Sequence, residues 1–354
     1  MIPVEFTTRA LSRHQQVEAW CAWHGSVFDV IRSPVPADKG LPATHLNWKL
    51  GSLGVSHVSA PAVHTERTKA VIRRNPIDHW VVTLSKGDTV EYKVRGSSVT
   101  VPAGVPFIYS MGDEMASTRS GPSRDRYFFY LSRDDFQSVA VLLDAARGTA
   151  LTTPGGKLLA DYMNLLVSSL PDLAPEDGSR LATAVEAILG ACLAPSADRL
   201  AFAEKPIDTF LRERVRRAVR KHLRSPSLNP DRLCRELATS RSQLYRLLDG
   251  EGGVSHYIQR QRLSESFTLL CNASNILPVA KIAELLCFAD ASNFSRAFRR
   301  EFGMSPSDAR AASMTGPPPG LTLRKDTRHS GVRTFGDCLR GLRDGNLHVL
   351  GRGE

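Results

Sequence analysis

A segment between Phe288 and Arg310 combines aromatic and arginine residues at helical spacing, in a pattern that suits contact with a polyanion. Its sequence is FADASNFSRAFRREFGMSPSDAR. Phe294, Phe298 and Phe302 follow each other at intervals of four, so a helix would place them on one face. The other face would carry hydroxyl and guanidinium groups, namely those of Ser292, Ser295, Arg296, Arg299 and Arg300. Arginine can donate two hydrogen bonds to guanine, and serine suits phosphates or bases. A solvated surface helix is the alternative interpretation.

The ends of this helix and the start of the next one are also indicated. Gly303 fits a C-terminal cap, since glycine adopts the left-handed conformation without strain. Ser305 followed by Pro306 is typical of the start of a further helix. The segment therefore predicts a complete helix followed by a second one.

The segment has a counterpart about 50 residues earlier in the chain. Leu233 to Ala238, followed by Ser242, Leu244, Arg246 and Leu248, corresponds to Ile282 to Cys287 followed by Ser292, Phe294, Arg296 and Phe298. The offset is 49 residues in the first part and 50 in the second. Each copy predicts a short helix, a turn and a second helix, with Asn229 and Pro230 opening the first copy.

In a helix-turn-helix unit the second helix enters the major groove of DNA, where its exposed side chains meet base edges. The exposed face in the first copy would carry Arg241, Ser242, Tyr245 and Arg246. The repeat favours DNA binding, because arginines scattered on a solvated surface have no reason to recur at a fixed offset. A purely structural helical repeat is the alternative.

From about Phe210 to Arg310 the chain resembles the AraC/XylS family of bacterial transcription regulators. The resemblance is carried by the segment quoted above, and by Gly253-Val254-Ser255, Tyr257-Ile258 and Arg262-Leu263. It implies two helix-turn-helix units joined by a long helix and set for successive turns of promoter DNA. It also implies transcription regulation, with RNA polymerase as a further possible partner. The chain departs from the family at Ala238 and Cys287, where glycine is usual, and at Ala309, where tyrosine is usual.

The charge of the chain is unevenly distributed. The 354 residues carry a net charge of +10. Residues 206–314 hold 18 Lys+Arg against 11 Asp+Glu, and residues 321–354 hold 7 against 4. The remaining residues hold 21 of each sign. A neutral first part and a basic second part predict separate tasks, with a polyanion as the partner of the second.

The sequence predicts a cytoplasmic protein with no membrane partner. It has no apolar run of about 20 residues and no apolar core of a secretory signal near its first residue. The six cysteines show no CxxC pair or zinc spacing, so we expect free thiols: Cys21, Cys192, Cys234, Cys271, Cys287 and Cys338.

The first part of the chain predicts an α+β fold with a β-barrel or sandwich. Alternating apolar residues and Gly/Pro turns, such as Lys86-Gly87-Asp88, indicate many short strands after a helix at 14–23. Residues 20–135 resemble the cupin-like sensing domain of one branch of the same family, through VHTERT and VTVPAGVPFIY. That resemblance implies a small-molecule effector. Four aromatic residues could line its site or belong to the core: Trp48, Trp80, Phe107 and Tyr109.

The predicted domain order has five parts. Residues 1–135 form the cupin-like domain, 136–195 a helical dimerisation segment, 196–206 a linker, 207–314 the all-α DNA-binding domain and 315–354 a loose basic tail. In the helical segment, the spacing predicts one apolar face with Leu158, Leu159, Tyr162, Leu165, Leu166 and Ser169. It predicts a second helix with Leu181, Val185, Ile188, Leu189 and Cys192 on one face. These helices could pack in the core or form the interface of a homodimer.

The alternative function is a cupin-type metal enzyme fused to a DNA-binding module. Its candidate ligands are His57, His64, Glu66 and His79, since a mononuclear site needs two or three histidines with a carboxylate. No nucleotide-binding or hydrolase motif is present. We therefore expect no enzyme activity and no cofactor. Within binding proteins, a regulator whose first domain only dimerises is a further alternative.

Overall fold

The computed structural model describes residues 1–31, 40–121, 125–194, 206–272, 275–314, 321–322 and 332–342. The chain divides into two compact units. The first unit comprises Met1–Ser196 together with Gly316–Glu354, and the second comprises Ala197–Thr315. The predicted linker at 196–206 lies, except for Pro206, outside the described residues.

The first unit contains two antiparallel sheets. Its strands are β1 (Val4–Thr7), β2 (Asp29–Ile31), β3 (Thr44–Leu50), β4 (Leu53–Ser59), β5 (His64–Arg67), β6 (Trp80–Ser85), β7 (Thr89–Val94), β8 (Ser97–Val101), β9 (Phe107–Ser110), β10 (Met115–Ser120), β11 (Asp125–Leu131), β12 (Thr149–Ala150) and β13 (Leu321–Thr322). The larger sheet has the order β12-β9-β6-β11-β4-β3-β1-β13, and the smaller one has the order β2-β5-β10-β7-β8.

The central strands of the larger sheet are buried on both faces. Along β6 and β11 successive side chains point in opposite directions. Val81 and Tyr130 face a core shared with the smaller sheet, whereas Val82 and Phe129 face a second core beneath the helices. Because both faces are covered, β6 is a continuous apolar run interrupted by Thr83 rather than an alternating one.

Five helices precede the second unit: α1 (Arg13–His24), α2 (Lys69–Arg74), α3 (Ala140–Ala145), α4 (Pro154–Ser169) and α5 (Gly178–Leu193). The last two pack together over the larger sheet, burying Leu159, Met163 and Leu189. The single apolar face predicted for α4 is wrong. Leu158 and Leu165 are 59% and 64% exposed, because they lie about 100° around the helix from the buried Leu159 and Leu166.

The prediction of a loose tail at 315–354 is also wrong where the structure describes it. Strand β13 pairs with β1, and α13 (Phe335–Arg340) packs into the core between the sheets. Phe335, Leu339 and Leu342 are each at most 2% exposed, so apolar burial holds this segment. The backbone carbonyl of Leu339 also bonds His79 Nε2 at 2.9 Å.

The second unit is helical throughout its described residues. Its helices are α6 (Pro206–Lys221), α7 (Pro230–Leu237), α8 (Arg241–Leu247), α9 (Val254–Cys271), α10 (Val279–Leu285), α11 (Ala291–Phe302) and α12 (Pro306–Met314). Helix α9 contributes to two cores, with Val254 and Ile258 in the first and Leu263 and Phe267 in the second. A strand-rich unit combined with a helical one confirms the predicted α+β fold class.

Candidate functional site

The helix pairs α7–α8 and α10–α11 are joined by the same turn. Ala238 has φ +48° and Cys287 has φ +59°, so both adopt the left-handed conformation. The next backbone N–H donates to a carbonyl five residues earlier, from Thr239 to Cys234 at 3.1 Å and from Phe288 to Ala283 at 3.0 Å. This is the Schellman arrangement that ends a helix. Ala238 and Cys287, which stand where glycine is usual in the family, thus keep the left-handed turn.

Side-chain caps start both second helices. Ser240 Oγ accepts from the backbone N–H of Gln243 at 3.2 Å, and Asp290 Oδ1 accepts from that of Asn293 at 2.7 Å. The N-cap Ser240 lies two positions after Ala238, whereas the N-cap Asp290 lies three positions after Cys287. This extra residue explains why the repeat offset rises from 49 to 50. The predicted caps Asn229, Gly303 and Ser305 are confirmed by their geometry.

Equivalent positions of the two second helices face the solvent. The fourth, seventh and eighth residues after each N-cap are buried, including Leu244 in α8 and Phe294 in α11. The second, fifth and sixth residues point outward or are half-buried. The predicted set is exposed at Arg241, Ser242, Tyr245, Arg246, Ser292, Arg296, Arg299 and Arg300, and half-buried at Ser295.

The exposed side chains differ in how firmly they are held. Arg241 is paired with Asp231 of α7, whose Oδ1 accepts from Nε at 2.8 Å, and this hydrogen bond raises the pKa of Arg241. Arg296 donates to Asn293 Oδ1 at 2.5 Å. Arg246 makes no hydrogen bond or ion pair with the described residues. Arg246 is thus the least constrained of the three.

Helix α11 has cations in its last turn that α8 lacks. Helix α11 runs for 12 residues and α8 for 7, so Arg299 and Arg300 in the last turn of α11 have no basic equivalents. Ser295 is less available than predicted, because its hydroxyl donates to the carbonyl of Ala291 at 2.8 Å. The two units therefore present related but unequal surfaces.

Arg260 of α9 connects the two pairs, and the sequence analysis did not identify it. Its Nη1 lies 2.9 Å from Glu251 Oε2, which follows α8, and its Nε lies 3.2 Å from Glu301 Oε1 of α11. Its two acidic partners lie 9 and 41 positions away in sequence, so no short-range pattern predicts this pairing. Within this unit, Arg260 fixes α11 against α9.

A cavity lies in the core between the two sheets of the first unit. Its walls include Trp20, Tyr92, Tyr109 and Tyr130, with Phe335 of α13 and the guanidinium of Arg126. Of the four aromatic residues considered from sequence, Tyr109 lines it. Trp48 and Trp80 instead belong to the core under α4 and α5, and Phe107 packs in the core beside the cavity.

The four metal-ligand candidates do not converge. His57 Nε2 bonds Asp125 at 2.9 Å, His64 Nε2 bonds Glu66 at 2.8 Å, and His79 bonds the Leu339 carbonyl. Across the described ranges, no group of three or more His, Cys, Asp or Glu side chains is arranged to hold a metal ion. Nor does any helix in those ranges have the length and apolarity to span a bilayer.

Comparison with known proteins gives a consistent result. Residues 233–312 match the model of a helix-turn-helix domain. The probable transcriptional regulator LumQ of Photobacterium leiognathi is 29% identical over 108 residues, which are 30% of this chain and 42% of LumQ. The match thus spans less than half of that relative. The crystal structure of the AraC-like transcriptional activator CuxR is 28% identical, covers 74% of this chain and 94% of CuxR, and gives a TM-score of 0.52.

Proposed function

We propose that this chain, an AraC-type DNA-binding regulator by its helix-turn-helix domain and its likeness to CuxR, controls transcription by placing α8 and α11 in successive major grooves of promoter DNA. The observation that carries the proposal is the repeated geometry. Two helix pairs share one turn type and expose Ser and Arg at the same positions after the N-cap. Second helices of this kind read base edges in helix-turn-helix proteins.

Charge supports the same assignment. Residues 206–314 carry 18 Lys+Arg against 11 Asp+Glu, a net charge of +7. Arg246, Arg296, Arg299 and Arg300 are exposed on the two second helices. Cations placed along the phosphate backbone release its counterions, and this release supplies much of the binding free energy.

The first unit is proposed to sense a small-molecule effector and to form a homodimer. The cavity between the sheets is the effector site in this proposal. The exposed Leu158 and Leu165 of α4 supply an apolar surface for a second copy. A dimer would offer four helix-turn-helix units to a paired operator and raise avidity. Where the chain activates transcription, RNA polymerase is its further partner.

The test is the salt dependence of DNA binding by the full-length chain. We expect anisotropy with a promoter duplex to show an affinity loss of about a thousandfold or more between 50 and 200 mM salt, as for proteins that contact at least six phosphates. Footprinting should reveal two protected half-sites about one helical turn apart. A flat salt response, or protection without paired half-sites, would contradict the proposal.

A further inference from the structure

Arg126 of β11 is a buried cation without a protein partner among the described residues. It is 6% exposed, its Nε is buried without a hydrogen-bond acceptor, and no carboxylate of the described chain pairs with it. The guanidinium carbon of Arg126 lies 5.4 Å from the centroid of the Phe128 ring. Burying an unpaired charge is costly, so this arrangement calls for an explanation.

The other buried arginines among the described residues of this unit each have acceptors in the protein. Arg67 donates to four backbone carbonyls, at 2.6 to 3.0 Å. Arg119 pairs with the buried Asp88 at 3.4 Å and donates to the Ala60 carbonyl at 2.6 Å. Arg133 pairs with Asp144 at 2.9 Å. Arg126 differs from these three because it lines the cavity instead of filling a site built from protein acceptors.

The rest of the cavity wall is uncharged at neutral pH. Burial lowers the pKa of His24 to about 3 and that of His45 well below its ordinary value. Burial raises the pKa of the Tyr92, Tyr109 and Tyr130 hydroxyls, which therefore remain protonated. The cavity thus combines a single cation with neutral donors and aromatic rings.

A second polar atom in this wall also lacks a partner. His24 donates from Nδ1 to the Trp20 carbonyl at 3.1 Å, and its Nε2 lies 3.1 Å from Nδ1 of His45. Nε2 of His45, on the far side of the same ring, is buried with no hydrogen-bond partner. His45 and Arg126, which both line the cavity, thus each have a buried nitrogen without a hydrogen-bond partner.

We propose that this cavity binds a compact organic carboxylate, whose charge pairs with Arg126 and whose apolar body lies among the aromatic rings. One cation matches a monoanion better than a dianion such as phosphate. The cavity has a volume of about 40 Å³, which is room for a few waters, so a carboxylate with one ring would need the cavity walls to move apart and a long chain would need a larger movement. The inference rests on the proposed function, since it names the chemical class of the effector.

The experiment uses the full-length chain, with benzoate, phenylacetate and hexanoate as probes and benzamide as the neutral analogue of benzoate. At about 10 mM, at least one carboxylate should raise the melting temperature by a few degrees, because ligand binding to the native state stabilises it. Benzamide should bind at least about tenfold more weakly, since it cannot form the charged pair. Equal shifts with benzoate and benzamide, or no shift with any carboxylate, would overturn the inference.

Arg126→Met removes the charge, and Arg73→Met is the matched control on the exposed surface of the same unit. We expect Arg126→Met to keep or raise the melting temperature without ligand, as replacing a buried unpaired charge by an apolar group does not destabilise. It should lose the carboxylate shift, and Arg73→Met should retain it. If Arg126→Met does not fold, Arg126→Gln replaces it, and binding as tight as wild type there would contradict the charged pair.

Two further measurements separate the possible failures. A shift with inorganic phosphate but with no organic carboxylate would indicate a simple anion site and overturn the proposal. DNA affinity is measured on the same samples. Intact DNA binding without a carboxylate effect rejects the ligand inference alone, whereas carboxylate binding without DNA binding rejects the proposed function.

Discussion

Arg246 and Arg296 each lie six residues after the N-cap of a second helix, so they are predicted to read equivalent bases in two half-sites. We expect Arg246→Ala and Arg296→Ala to relax base preference, each in a different half-site, by about 1–3 kcal/mol of discrimination. Arg246 makes no hydrogen bond or ion pair with the described residues, whereas Arg296 donates a hydrogen bond to Asn293. Binding measured against a library of single-base operator variants would give the preference at each position.

Arg235→Ala is the control for the loss of one positive charge. Arg235 is exposed on α7 and outside the second helices. Its removal should weaken binding to all sequences similarly and reduce the salt slope by about one. If Arg246→Ala and Arg296→Ala behave like Arg235→Ala, both arginines contact phosphates and the assigned base contacts are wrong.

At the level of elements, the two turns carry strain that glycine would remove. Ala238 and Cys287 have positive φ, which costs a residue with a Cβ about 1 kcal/mol. We expect Ala238→Gly and Cys287→Gly each to raise the free energy of unfolding by up to about 1 kcal/mol, measured by urea denaturation of the full-length chain. Ala280→Gly, at an exposed site within α10, should have the opposite sign and lower it by a similar amount. Destabilisation by the turn variants would show that their Cβ atoms contribute more than the strain costs.

The helical unit could be predicted in detail because its signals are local. Asn229, Gly303 and Ser305 each cap a helix through contacts within a few residues. Strand pairing is not local. The turn at Lys86-Gly87-Asp88 does separate two strands, but β6 lies in the larger sheet and β7 in the smaller one. No short-range pattern distinguishes such a crossing from a hairpin.

Most of the cavity wall and the last helix could not be predicted from the sequence, for the same reason. Arg340 of α13 donates to Asn75 Oδ1 at 2.9 Å, across 265 positions of sequence. Phe335 stands in a basic, glycine-containing stretch whose composition indicates a loose tail. The sequence around Arg126 does not indicate that this arginine is buried, because its burial depends on residues of both sheets and of α13. Burial of this kind is a property of the assembled fold.

For the whole molecule, the chain leaves the first unit before the DNA-binding helices and returns to it afterwards. The returning segment places Phe335 in the wall of the cavity, beside the proposed carboxylate site. A ligand there would contact a residue that follows the DNA-binding helices in sequence.

The exposed apolar residues of α4 and α5 form the predicted dimer interface. Leu158 and Leu165 are exposed, seven residues apart on one face of α4, and Ala184 and Ala191 are likewise exposed seven residues apart on α5. Burying each leucine against a second copy would contribute about 1.5–3 kcal/mol. We expect the double variant Leu158→Glu, Leu165→Glu to weaken self-association by at least about a hundredfold, since each 1.4 kcal/mol is a factor of ten. Sedimentation of the full-length chain measures this directly.

The variant should remain folded, because neither leucine belongs to the core under α4. Its carboxylate-induced melting shift would therefore persist and serve as the folding control. Thr183→Glu, at an exposed site of α5 beside the apolar face, adds a single charge and should leave self-association close to wild type. A wild-type chain that is monomeric at about tens of micromolar would show that any pairing comes from the operator alone. A double variant as dimeric as wild type would place the interface elsewhere on the chain.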